Sequence, residues 1–199
     1  MAPRPPRPGS DDLRPDWWGL WNLAHAQAGH FTAQDARESR VSTALLSQNV
    51  GAGVVLRVER GIYRFAQFPP HPQEDLAVRW LWTDREGVFS HETALLLHRL
   101  SDALPNITVM TVPAAWARRR LTIPRGVELH FDDVVDADAQ WVDAVPVTTP
   151  LRTVIDCWRV GVSPELVNAA VREAIARGLF SRACHTRALG REPPQESVS

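Results

Sequence analysis

The stretch that most constrains this chain is VVLRVERGIYRF, Val54 to Phe65, in which two short apolar runs meet at Glu59-Arg60-Gly61. Alternation at period two marks strands with one covered face. Gly61 can take the positive φ that a tight hairpin turn needs. On the first strand Leu56 and Val58 are expected to face the core, with Arg57 and Glu59 outward. On the second, Tyr63 and Phe65 face inward and Arg64 outward. The inward set passes from even to odd positions, which a three-residue turn or a bulge would produce. The result is a ribbon whose arginines, Arg57, Arg60 and Arg64, point away from it.

The residues before the ribbon read as three helices. Trp17, Leu20, Trp21, Ala24 and Ala28 form one apolar stripe over Asp16 to Ala28, with Gly29 as the stop. Thr32 and Asp35 have capping-box spacing for a short second helix. Ser39-Arg40-Val41 is a turn. Ser42 then caps a third helix over Thr43 to Val50, with Leu45, Leu46 and Val50 inward and Gly51 and Gly53 after it. Helix, helix, turn, helix and hairpin is the order of a winged helix-turn-helix. The expected fold class is α+β: this N-terminal unit plus a C-terminal mixed α+β domain.

The expected organisation is an arm over 1–15, the winged helix-turn-helix over 16–68, the mixed domain over 69–190 and a tail over 191–199. The opening MAPRPPRPGSDD is Pro- and Arg-rich and lacks the apolar stretch of a secretory signal, so arm and tail read as disordered. No apolar run approaches membrane-spanning length. Phe68-Pro-Pro-His-Pro-Gln reads as the linker between domains. All 22 positive side chains are arginine. Arginine suits bidentate phosphate contact, but the net charge is −1, so bulk charge gives little sign of a polyanion partner. Cys157 and Cys184 fit no metal spacing and read as free thiols in a reducing cytosol.

Downstream, helices are expected over Glu74 to Asp84, in HETALLLHRL capped by Ser90, after Thr149-Pro150, after Ser163-Pro164, and from Ser181. Strands are expected in ITVMTV and over Val127 to Phe131. His91 and His98 share a helix face without a third metal ligand and read as core or capping histidines. HETAL lacks the second histidine of a zinc-protease helix. Asp132, Asp133, Asp136 and Asp138 read as a solvated acidic loop. The alternative is a Mg²⁺ site for an enzyme acting on nucleic acid or nucleotides. Arg152 and Asp156 suit an i, i+4 ion pair. ARRRLTIPR, Ala117 to Arg125, is the densest basic patch, either a solvated loop or a contact for nucleic acid or an acidic surface. No catalytic residue, metal site or cofactor is assigned.

Three blocks in order, LAHAQAGHFTAQDARESRVSTALLSQNV with LRVERGIYRF, then SHETALLLHRL, then TTPLRTVID, resemble the AbiEi-type antitoxins of type IV toxin–antitoxin systems. The likeness runs from about Leu20 to Leu179. It implies a winged-helix autorepressor that binds double-stranded DNA at inverted repeats in its own promoter. It also implies a C-terminal domain that counteracts a nucleotidyltransferase-like toxin without needing a stable complex, in the cytoplasm. A winged-helix regulator with no toxin partner stays open.

The expected DNA contacts are Ser42, Thr43, Ser47, Gln48 and Asn49 on the recognition helix, Arg40 in the turn before it, and Arg57, Arg60 and Arg64 on the wing. Gln and Asn can read adenine bidentately, and the wing arginines supply sequence-independent attraction. The family's recognition helices usually carry Arg or Lys, and this one has none between Arg40 and Arg57. Binding is therefore expected to rely on two copies, as a monomer assembling into a dimer on the repeat, with Arg4 and Arg7 of the arm helping in the minor groove.

Overall fold

The computed structural model describes residues 14–101 and 106–190. The arm over 1–13, with Arg4 and Arg7, and the tail over 191–199 lie outside the described residues. The chain forms two compact units that divide between Trp82 and Thr83. Both mix helix and sheet, so the fold is α+β.

The first unit opens with α1 (Trp17–His25), whose N-cap Asp16 accepts the Gly19 N–H at 2.8 Å. The helix stops before Ala28 because Ala28 and Gly29 both turn to positive φ. There a three-residue strand begins that no local pattern in the sequence marks, β1 (His30–Thr32). Thr32 and Asp35 close a full capping box on α2 (Ala33–Glu38), and Ser42 caps α3 (Thr43–Gly51). The ribbon is β2 (Val55–Glu59) and β3 (Ile62–Phe65), and the sheet order β1-β3-β2 is antiparallel throughout. Leu20, Ala24, Phe31, Ala36, Val41, Leu46, Val55, Phe65 and Phe68 make one apolar core.

Two expectations fail here. Leu56 and Val58 do not face the core: they are 44% and 43% exposed, and Val55 is buried instead. Val55 pairs with Phe65, so that parity carries the inward face, and a register shift between Arg57 and Glu59 displaces the strand beyond it. The domain boundary also moves. Helix α4 (Glu74–Trp82) packs on β1 and β3 and belongs to the first unit. The proline-rich segment before it is anchored rather than a free linker. Phe68 is buried over Gly29, where a Cβ would lie 2.5 Å from its ring.

The second unit is a five-stranded mixed sheet of order β6-β5-β4-β8-β7: β4 (Val88–Phe89), β5 (Thr108–Val112), β6 (Val127–Phe131), β7 (Ala139–Val142) and β8 (Val145–Thr148). β4 runs parallel to β8 and β5 parallel to β6, and the other pairs are antiparallel. Helices α5 (His91–Leu97), α6 (Pro150–Arg159), α7 (Pro164–Ala176) and α8 (Arg182–Leu189) follow the expected starts, with proline in the first turn of α6 and α7. α5 packs on α6 and α6 on α7, burying Leu95, Val154, Cys157, Val167 and Ala170. Ser90 does precede α5, but its hydroxyl makes no cap bond. It accepts from Thr111 at 2.8 Å and meets His91 Nδ1 at 2.9 Å. Among the described residues no helix is long and apolar enough to cross a membrane.

Candidate nucleic-acid interface

Helix α3 presents Ser42, Thr43, Ala44, Ser47 and Gln48 to solvent, while Leu46 is buried beneath them. The Ser42 hydroxyl oxygen accepts the Leu45 N–H at 3.2 Å, which fixes the first turn of the helix. The other amides of that turn have no carbonyl within the helix and can donate to an acceptor beyond its N-terminus. Thr43, Ser47 and Gln48 carry polar tips with no partner among the described residues. Asn49 differs. It is half-buried, and its Nδ2 donates to the Leu45 carbonyl at 2.9 Å, so that amide is partly committed to its own helix.

On the ribbon, Arg57 and Arg60 are exposed and pair with no carboxylate among the described residues. Gly61 takes φ +80° at the turn beside them. Arg64 is a correction. It does lie on the face opposite Phe65, but α4 covers that face. Its Nη2 donates to the Phe68 carbonyl at 2.8 Å and to Glu74 Oε1 at 2.9 Å, and its side chain is 13% exposed. Glu74 Oε1 also accepts the His71 N–H, and its carboxyl sits below its ordinary value: burial works against this, and the His71 and Arg64 bonds outweigh it. Arg64 therefore ties the ribbon, the proline-rich segment and α4 together, and is not presented to a ligand. Arg40 is exposed at φ +58°, with its Nε donating to the Arg14 carbonyl at 2.9 Å.

No acidic residue occurs from Ser39 to Val58, and nearby carboxylates are occupied. Glu59 holds Arg79 at 3.1 Å, Glu38 accepts from Gln34, and Asp35 is spent in the capping box. The face across α3 and the ribbon thus combines hydrogen-bonding tips, two unpaired guanidinium groups and no competing negative charge. Sequence reasoning missed Val54, Leu56 and Val58, which the ribbon also exposes. Alternation alone points to the wrong parity for the last two.

The second unit gathers its polar residues around Arg152. Its Nε donates to both Asp156 oxygens, at 2.7 and 2.9 Å, and its other nitrogens reach Asp132 and, at 3.2 Å, Asp138. Burial pulls the Arg152 value down, but Asp156 and Asp132 outweigh it, so the guanidinium is held charged more firmly than usual. Asp133 accepts the Ala114 N–H. The acidic run is thus partly a shell for one arginine, and among the described residues no group of three His, Cys, Asp or Glu is placed to hold a metal. His91 is buried at φ +50° and stacks on His130 at 3.9 Å. Burial, with His130 and Arg152 beside it, lowers it to about 3, so it is a neutral ring. His98 Nε2 donates to the carbonyl of Thr148, the first residue of the TTPLRT run, at 2.6 Å. In the basic patch Arg119 lies over the Trp116 ring at 4.2 Å, while Arg118, Arg120 and Arg125 are exposed.

The chain is therefore an α+β protein of two compact units whose first unit carries a carboxylate-free, arginine-flanked helix face. No family model matches its sequence, and no curated protein matches it. Its structure is similar to the crystal structure of the RV2827C protein from Mycobacterium tuberculosis, with a TM-score of 0.55 and 15% identity, over 94% of this chain and 75% of that one. At that identity the likeness shows the fold alone.

Proposed function

We propose that the first unit is a winged helix-turn-helix that binds double-stranded DNA, with α3 in the major groove and the β2–β3 ribbon as the wing. The carrying observation is the juxtaposition on one unit of the exposed Thr43, Ser47 and Gln48 with the unpaired Arg57 and Arg60. Gln48 is the candidate base reader, because its free amide can both donate and accept at adenine. Arg57 and Arg60 contribute phosphate attraction that is independent of sequence. Leu56 and Val58 offer apolar contact beside them. Arg64 drops out of the contact set, and Asn49 becomes secondary.

Arg60→Ala should weaken binding to the chain's own promoter and to unrelated duplexes alike, and lower the slope of log affinity against log salt by about one. Gln48→Ala should instead reduce the preference for the promoter by about 1–3 kcal/mol. Filter or anisotropy titrations at several salt concentrations separate the two. Unchanged binding in both variants would show that another element holds the DNA.

The wider reading is a cytoplasmic, non-enzymatic AbiEi-type antitoxin that represses its own promoter and counteracts a nucleotidyltransferase-like toxin without needing a stable complex with it. The support is the resemblance in SHETALLLHRL and TTPLRTVID, together with their contact in the second unit, where His98 donates to Thr148 and Arg152 grips Asp156. Co-expression of a neighbouring toxin with the whole chain, or with either half split between Trp82 and Thr83, tests it. Rescue of growth by the second half alone assigns antitoxicity to that unit. No rescue by the whole chain leaves a DNA-binding regulator without this partner.

A further inference from the structure

The second unit contains a cavity of about 500 Å³ that the DNA-binding reading does not use. Its apolar walls are Val109 of β5, Ile107 just before it, Val160 and Val162 after α6, and Leu166 of α7. Its polar lining contains two carboxylates, Glu92 in the first turn of α5 and Glu128 on β6. Among the described residues no arginine or lysine lines it. Among the described residues His130 is the one basic side chain in the lining, and its Nε2 is already 3.1 Å from Glu128 Oε1. Glu92 is half-buried and makes no hydrogen bond or ion pair with any described residue. Its charge is felt inside the unit: burial pushes the Cys157 thiol up, and Glu92 adds to that shift.

A carboxylate on the wall of an apolar concavity without a counter-charge disfavours anions and favours a cation that brings its own hydrocarbon. The volume is in the range of small-molecule sites, which combine mostly apolar walls with a few polar groups that fix orientation. We propose that this cavity binds a small organic cation, a protonated primary amine on a compact aromatic or branched hydrocarbon body. The ammonium sits at Glu92, and the body lies against Val109, Val162 and Leu166. The carboxamide oxygen of Asn106, on the same lining, can accept a remaining ammonium hydrogen.

The test is calorimetric titration of the full chain at neutral pH with three probes of one shape: 2-phenylethylamine, 2-phenylethanol and 3-phenylpropionate. The amine should bind saturably, the alcohol about tenfold or more weaker, as expected for loss of a charge-assisted contact, and the acid not at all. Glu92→Gln should weaken the amine to the level of the alcohol and leave the alcohol unchanged. Ile107→Arg, at a half-exposed position, places a fixed cation at the cavity and should abolish amine binding even if Glu92→Gln perturbs the fold. Equal binding of amine and alcohol, amine binding that survives Ile107→Arg, or no saturable amine signal at millimolar concentration overturns the assignment. DNA binding plays no part in these measurements, so failure of one reading does not decide the other.

Discussion

Phe31→Ala is expected to lower the unfolding free energy of the first unit by about 3–5 kcal/mol, the usual cost of emptying a buried phenylalanine site. Phe31 is fully buried in the middle of β1, where it stacks on Tyr63 at 5.8 Å and meets Phe65 at 4.9 Å. Its ring is where the short strand, the ribbon and the helices converge in one core. Little nearby can collapse into the space, because β1 is only three residues long and is held by its register to β3. Small domains hold only about 5–15 kcal/mol in total, so this is a large fraction. DNA binding should fall with it, through loss of the ribbon's position rather than of a contact. Urea unfolding followed through first-unit amide signals reads the effect. A midpoint shift no larger than that of Thr43→Ala on the surface would place the core elsewhere.

Arg152→Met should destabilise the second unit by about 3–5 kcal/mol, because it strands a buried charge. Asp156 is 5% exposed, and burial pushes its carboxyl up despite the pull of Arg152 and Arg159. Without Arg152 its one ion-pair partner among the described residues is Arg159 at 3.3 Å, itself 43% exposed. Asp132 and Asp138 lose their cation in the same step. The cost should shrink when Asp156→Leu is added, since a buried pair replaced as a pair is often close to neutral. A thermal or urea double-mutant cycle measures the difference. Additive losses would mean that the pair does not act as a unit.

The helices are the most legible part of the sequence because their signals are local. Asp16, Thr32, Ser42, Thr149 and Ser163 each sit within a turn of the amide they cap. What the sequence hides depends on partners far along the chain. β1 is a strand only because β3 lies beside it, about thirty residues later. Arg64 reads as free because Glu74 is ten residues on, beyond a run of prolines that suggests a boundary. The parity of Leu56 and Val58 inverts because Val55, paired with the buried Phe65, takes the inward face, and the register shift comes only after Arg57. β8 is masked by Pro146, which cannot donate to a ladder. The strand tolerates it because β4 meets β8 only at Val147. In the candidate interface, residue types on α3 identify the exposed polar tips, while the commitments of Asn49 and Arg64 emerge only from the folded chain.

The close approach of Phe68 to Gly29 sets a rule for how this chain can diverge. At φ +85° and with an aromatic ring where a side chain would start, position 29 has one admissible occupant for as long as position 68 keeps its ring. Drift at either site is coupled to the other across almost forty residues. The pair therefore works as a covariance clamp, joining the end of the first helix to the chain's exit from the sheet.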